Sequence, residues 1–206
     1  MTTSLSRLHF VFVGCVALVG CSKDNSETYP QPAASQGQEA TPGESVTPVK
    51  PAEVASKPSD AQILAILDTV DTGEIQQAQV ANTRATDPRI KQFAQHMIQQ
   101  HTQAKQQSMQ VAAQATLTPT QSDVSGQLDT KGKQMLSSLQ DADNASFDAT
   151  YIQGQVQQHQ EVLTMIDQTL LPAAQHSALT AQLKAAKDMV KGHLEQAREL
   201  ATAHAK

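Results

Sequence analysis

The stretch TDPRIKQFAQHMIQQH, residues 86–101, decides the fold class of this chain. Thr86, Asp87 and Pro88 predict a helix start, with Asp87 as the N-cap and Pro88 in the first helical position. Residues on one face then recur every three or four positions, as they do in an amphipathic helix that packs against other helices. That face carries Ile90, Phe93, Ala94, Met97, Ile98, His101, Ala104, Ala112 and Ala115.

Three more segments repeat this periodicity, and the composition favours helices because Ala and Gln dominate the second half. The first helix is capped by Ser59 and Asp60, the third main helix begins at about Ser146 and ends near Pro172, and the last runs from about Ala174 to the C-terminus. The connection of residues 116–143 is predicted to contain a shorter helix at residues 128–139. The predicted faces carry Ile63, Leu67, Val70, Glu74, Ala78 and Ala81; Phe147, Tyr151, Ile152, Gln155, His159, Val162, Leu163 and Ile166; and Leu179, Leu183, Ala186, Val190, His193, Ala197 and Leu200.

The loop lengths predict how these helices connect. The first pair and the last pair have short turns, whereas the middle connection is long enough to cross the length of a bundle. Two hairpins joined by one long crossover make an all-α, ferritin-like four-helix bundle over residues 59–206. An up-down-up-down bundle with a decorated loop is the alternative.

The N-terminus predicts export and lipidation. Arg7 precedes a short apolar run that ends in LVGC, residues 18–21, which is typical of a bacterial lipoprotein signal. Residues 1–20 are then a signal peptide, Cys21 carries the lipid anchor, and Ser22 favours the outer membrane facing the periplasm. Residues 21–58, including the lipidated Cys21, are rich in Pro, Ser, Gln and Glu and are predicted to be a disordered linker.

Each main helix places one residue of metal-ligand type on its apolar face, namely Glu74, His101, His159 and His193. Each lies at a similar depth in its own helix, so the four side chains are expected to meet near mid-height. One carboxylate and three imidazoles would suit Zn, Cu, Fe or Mn. Gln100, Asp148, Tyr151 and Gln155 are the predicted outer partners of these ligands. A purely structural layer of hydrogen-bonded polar residues is the alternative reading.

Other functions are disfavoured by what the sequence lacks. The net charge of −5 is spread out and there is no Trp, which argues against nucleic-acid binding. A di-iron centre needs Glu-x-x-His on two helices, but Ile98, Val156 and Val190 stand three residues before the histidines. The chain also lacks the common nucleotide and hydrolase motifs. The sequence therefore favours an envelope-tethered protein that is not an enzyme and that binds a metal ion or serves a stress or buffering role at the Glu/His layer. The alternative is a structural or protein-interaction bundle of the envelope, and the sequence does not identify a protein partner.

The helices also carry a family resemblance. Phe93, Ala94 and Met97 with His101, then Phe147, Asp148 and Tyr151 with His159, then His193, Leu194 and Ala197 resemble a bacterial exported ferritin-like family known only as a domain of unknown function. Glu74 after Gly73 fits that pattern, whereas the family usually has Asp where this chain has Gln100. The resemblance covers about residues 59–201. It implies a ferritin-like bundle in the periplasm or anchored to the outer membrane, and it implies no particular reaction.

Overall fold

The computed structural model describes residues 57–204, and over that range the chain forms helices and turns without a strand. The predicted all-α class is therefore confirmed, whereas the signal peptide, Cys21 and nearly all of the linker lie outside the described residues. The elements are α1 (Asp60–Arg84), α2 (Pro88–Gln114), α3 (Asp123–Asp141), α4 (Phe147–Met165), a π-helical turn (Ile166–Leu170), α5 (Leu171–Ala173) and α6 (Ser177–His204). Among the described helices, none combines the length and the apolar character needed to span a membrane.

The predicted helix starts of α1 and α2 are confirmed. Ser59 caps α1, and its side chain and that of Gln62 form a reciprocal capping box. Asp87 caps α2 by accepting from the backbone N–H of Arg89, and Pro88 occupies the first turn.

The starts of α3 and α6 differ from the sequence prediction, whereas α2 ends next to the predicted connection at residue 116. α3 is longer than the predicted 128–139 because Ser122 and Ser125 form a capping box that starts it earlier. α2 ends at Gln114, and Thr116 follows with a φ of 53°. α6 begins at Ser177 rather than near Ala174.

Three side chains join the helix ends and show which way each helix runs. Asp148, at the start of α4, accepts from the backbone N–H groups of Thr86 and Asp87, at the start of α2. Asp60, at the start of α1, accepts from the backbone N–H groups of Gln175 and His176, just before α6. The ends of α1 and α3 meet, because Arg84 donates to the last carbonyls of α3. Therefore α1, α3 and α6 run in one direction, and α2 and α4 run in the other.

The helices pack in pairs around one axis. α1 contacts α2 and α3, α4 contacts α6, and α2 also contacts α6. α3 is the crossover that returns the chain from the end of α2 to the start of α4. At one point α1 and α3 approach closely, because a Cβ on Gly73 would lie 3.9 Å from the Cα of Gly132.

A band of polar side chains divides the core into two apolar clusters. One cluster lies at the Asp60 end and includes Ile63, Leu67, Ile166, Leu183 and Val190. The other lies at the Arg84 end and includes Ala78, Phe93, Met97, Tyr151 and Ala197. On each main helix, the inward-facing residues between the two apolar clusters are polar and buried. The candidate site therefore lies in the middle of the bundle. The buried band comprises Asp71, Glu74, Gln77, His101, Gln155, His159 and His193.

Replacing Arg84 by Met should lower the free energy of unfolding by about 2–3 kcal/mol, the scale of hydrogen bonds to a charged group. The guanidinium donates to the carbonyls of Leu139 and Ala142 at 2.5 Å each, and it lies 4.5 Å from the centre of the Phe147 ring. It therefore neutralises the negative end of α3. Urea denaturation followed by circular dichroism measures the change.

The matched control is Arg89→Met. Arg89 is exposed and pairs with Asp87, two residues away, so its loss should cost well under about 1 kcal/mol. Equal losses in the two variants would contradict the role assigned to Arg84.

Candidate metal centre

The structure brings together residues from all four main helices in the buried polar band. α1 contributes Glu74, α2 contributes His101, α4 contributes His159 and α6 contributes His193. The exposed fractions of the three histidines are only 1–2%. Such burial follows from the helical spacing, which puts each of these residues on the same face as its apolar neighbours.

The three histidines form one compact group. One ring nitrogen from each of His101, His159 and His193 lies within 4.8 Å of the others. The ring centres are 5.2 to 6.0 Å apart. Among the described residues, this trio is the group of His, Cys, Asp and Glu side chains close enough to hold a metal ion together.

Each histidine of the trio has an oxygen atom against one of its two ring nitrogens. His101 Nδ1 lies 2.8 Å from Asp71 Oδ1, and His159 Nδ1 lies 2.9 Å from the backbone oxygen of Gln155. His193 Nε2 lies 2.5 Å from Gln100 Oε1. An oxygen acceptor keeps the proton of a neutral imidazole on the nitrogen that faces it. The free lone pairs are then on His101 Nε2, His159 Nε2 and His193 Nδ1.

Two of those lone pairs face each other. His159 Nε2 and His193 Nδ1 are 3.3 Å apart, a distance at which one nitrogen would normally donate to the other. Burial lowers the pKa of His159, and it lowers the pKa of His193 to about 2. The neutral rings therefore dominate near pH 7, and two proton-free nitrogens face each other across a gap that a cation would stabilise.

Glu74 adds a buried carboxylate beside the trio. Its side chain is 3% exposed, and its Oε2 has no hydrogen-bond partner. Its negative charge acts on His159, where it opposes the effect of burial on the pKa. It also acts on Tyr151, whose pKa is raised well above 10, mainly by burial and then by Glu74. Glu74 lies outside the closest group of ligand atoms but faces the same interior.

The unpartnered polar atoms are concentrated in this band. Within residues 57–204, five buried side-chain atoms have no hydrogen-bond partner; three of them belong to Glu74, His101 and Gln155 of the band, and a fourth belongs to Tyr151, which is buried near Glu74. Buried polar atoms in native proteins are nearly always partnered, by protein, water or an ion. The band therefore has unused coordinating capacity, whereas among the other described residues only Tyr151 and Gln182 have such an atom.

Asp71 is a site residue that the sequence analysis missed. It is buried, it accepts from His101 Nδ1, and burial raises its pKa, in opposition to its interaction with His101. It is a carboxylate beside His101, whereas Gln100 stands where the family resemblance expects Asp. The available signal was its position in α1, four residues after Leu67 and three before Glu74, which puts it on the same buried face.

The structure places the four predicted outer partners of the ligands in different surroundings. Gln100 does turn inward, toward His193, and the backbone of Gln155 orients His159. Tyr151 is fully buried near Glu74. Asp148 needs correction, because its carboxylate is used by the backbone of Thr86 and Asp87 and by the Thr86 hydroxyl. It holds the turn between α1 and α2 rather than orienting His159.

The comparison with known families identifies the chain's relatives. The chain belongs to the DUF4142 family, a domain of unknown function, whose model matches residues 45–200. No curated protein and no solved structure matches it.

The metal-free protein should lose stability as the pH falls below about 6.5, the ordinary pKa of histidine. His159 and His193 have lowered pKa values in the fold, so the unfolded chain binds protons that the folded chain does not. The free energy of unfolding should fall by about 1.4 kcal/mol per pH unit for each histidine that stays neutral. Chemical denaturation in EDTA from about pH 7.5 to about pH 5.5 measures the slope.

The matched control is the double variant His159→Gln, His193→Gln, which should lose most of this slope. An identical slope in the wild type and the double variant would show that these histidines do not set the acid sensitivity.

Proposed function

We propose that this member of the DUF4142 family holds one divalent transition-metal ion in its buried histidine trio, with Glu74 as the fourth ligand. The supporting observation is that one ring nitrogen of each histidine faces an oxygen acceptor and holds the proton. The other nitrogen of each ring is then proton-free and available to an ion. That arrangement is typical of metal-binding histidines, whose second nitrogen usually donates to a carboxylate or a carbonyl. The bundle would bind or buffer a metal ion and would not act as an enzyme.

The donor set allows Zn, Cu, Fe and Mn, and the spacing of two of the ring nitrogens fits tetrahedral zinc. Imidazole and carboxylate ligands suit all four metals. Tetrahedral zinc has Zn–N bonds of about 2.0–2.1 Å, so two of its nitrogen ligands stand about 3.3–3.4 Å apart. The separation of His159 Nε2 and His193 Nδ1 is 3.3 Å. A bound ion would supply a positive charge that stabilises the Glu74 carboxylate and the lone pairs of the three histidines.

The helix directions support a ferritin-like assignment for the bundle. Two antiparallel pairs joined by a long crossover are characteristic of that architecture. The ligand pattern differs from the usual di-iron set, because Ile98, Val156 and Val190 occupy the positions where Glu-x-x-His motifs need carboxylates. We therefore propose a single-ion site in a ferritin-like frame.

A non-metal structural role is the second candidate, and a glutamine network favours it. Gln77 bonds with Gln158, and Gln155 donates to Gln77, at 3.0 Å in each case. These bonds link α1 to α4 without an ion. Under this alternative the whole polar band would serve only to fix the helix register, and the bundle would interact with another envelope component.

Metal analysis separates the two candidates. We expect the untagged full-length protein, stripped with EDTA and refilled with Zn²⁺, Cu²⁺, Mn²⁺ or Fe²⁺, to retain about one ion per chain, with Zn²⁺ held more tightly than Mn²⁺ or Fe²⁺. The triple variant His101→Ala, His159→Ala, His193→Ala should retain almost none. Plasma mass spectrometry after gel filtration measures the ratio.

Two further variants keep the result interpretable if the triple variant unfolds. Asp71→Asn should leave the helices intact and weaken zinc binding by about 10–100-fold, because the Asp71 carboxylate would affect the ion only by orienting His101. His101→Gln should remain folded, as shown by circular dichroism, and lose the ion. A wild-type protein that takes up none of the four metals would leave the structural reading in place.

We also propose that the protein is a lipoprotein of the outer membrane, facing the periplasm and anchored at Cys21. The support is the LVGC sequence at residues 18–21 behind a short apolar run, followed by Ser22. One lipidated residue with several acyl chains would suffice for stable attachment.

Replacing Cys21 by Ala should abolish lipid attachment and release the protein from the membrane fraction. Labelling of bacterial cells with an alkyne fatty acid, followed by fractionation, measures both effects. Cys15→Ala is the matched control, since Cys15 lies inside the predicted signal peptide. Equal labelling of wild type and Cys21→Ala would contradict the anchor.

A further inference from the structure

His96 lies between solvent and the buried trio. Its position in the sequence predicts that it lies on the surface of α2, and its side chain is indeed only partly buried. However, its ring centre lies 5.8 Å from that of His193, with the two rings nearly perpendicular at 80°. It is therefore a fourth imidazole that packs against the candidate centre, through the histidine that α6 contributes.

A surface groove between α2 and α6 reaches His96. Its volume is about 800 Å³, and its lining includes Phe93, His96, Gln99 and Glu199. Phe93 also packs edge-on against His193, at 6.3 Å between ring centres. His96 and Phe93 thus line this groove on one side and contact the ring of His193 on the other.

Two other grooves also touch the polar band. One, of about 410 Å³ between α1, α3 and α4, is lined by Glu74 and Gln77 among others. Another, of about 210 Å³, is lined by Asp71 and Gln100 among others. Neither is lined by a histidine, so only the groove at His96 offers an imidazole outside the trio.

We propose that His96 is an entry ligand, which takes a divalent transition-metal ion from the α2–α6 groove and passes it to His193. The proposal rests on the proposed function, because it requires the trio to bind the ion. Transfer would proceed by ligand exchange without a change in oxidation state. The hydrated ion exchanges one water for the His96 imidazole, and that bond is then exchanged for one to the trio.

A ligand that acts only during entry has a distinct kinetic signature. It speeds binding and release equally, because both pass through the same intermediate, and it leaves the dissociation constant unchanged. A permanent ligand would instead change the affinity. A residue that only packs against His193 would leave the rates of both steps close to those of the wild type.

The test is zinc uptake and release by purified full-length His96→Gln protein. Stopped-flow mixing with Zn²⁺ and a chromophoric chelator measures uptake, and mixing the loaded protein with excess EDTA measures release. We expect both rate constants to fall about tenfold, the scale on which residues just outside a coordination sphere act. Zinc stoichiometry and the dissociation constant should match those of the wild type. His204→Gln, which removes an exposed histidine far along α6, should change nothing.

Each of the other possible results of this experiment would contradict the entry role in a different way. Unchanged rates in His96→Gln, with normal zinc binding, would overturn the entry role and point to the groove at Glu74 while the proposed function stands. A weakened affinity with an unchanged uptake rate would make His96 a permanent ligand and also overturn it. Absence of zinc binding by the wild-type protein would overturn the proposed function and this inference together.

Discussion

The structure depends on a band of polar side chains buried between two apolar clusters. Taking imidazole, carboxyl and amide groups out of water costs several kcal/mol per group unless each finds a partner. The chain meets most of that cost with bonds between helices, such as Asp71 to His101 and Gln77 to Gln155. A shift of one helix by a single turn would separate these partners, so the band also sets the register of the bundle.

The ends of the helices fix the same register from outside the core. Asp60, Arg84 and Asp148 each join two segments that are far apart in the sequence, and each satisfies backbone groups that a helix end leaves free. Because two of these contacts lie at one end of the bundle and the third at the other, the helices are held at both ends. His101, His159 and His193 can then meet at mid-height without any covalent or loop constraint near them.

Local signals predicted much of this arrangement, and long-range contacts account for the rest. Helical periodicity and the caps at Ser59 and Asp87 were sufficient for the helices and for the three histidines on their inner faces. Asp148 was misassigned because helical spacing aligned it with His159, whereas its real partners, 62 and 61 residues earlier in the chain, lie in the turn between α1 and α2. Asp71 was overlooked because a carboxylate next to an apolar face is usually solvent-exposed, and only tertiary packing shows that it meets His101. His96 was read as surface for the same reason, since its contact with His193 joins two different helices.

The two halves of the polar band differ in a way that bears on what it is for. On the α1–α4 side, both polar atoms of Gln77 are used within the protein, with Gln155 and Gln158 as partners, and Gln155 Oε1 is the one unpartnered atom of this glutamine group. On the histidine side, His101 Nε2 and Glu74 Oε2 are buried without partners, and the nitrogens of His159 and His193 face each other. A layer that served only to fix register would gain stability from replacing such groups by glutamines or apolar residues, because unpartnered buried groups each cost about 1–3 kcal/mol. Keeping proton-free nitrogens and a carboxylate oxygen together in the core is unfavourable without a cation and favourable with one. The metal-binding hypothesis therefore explains more of the polar band than the hypothesis of a purely structural layer.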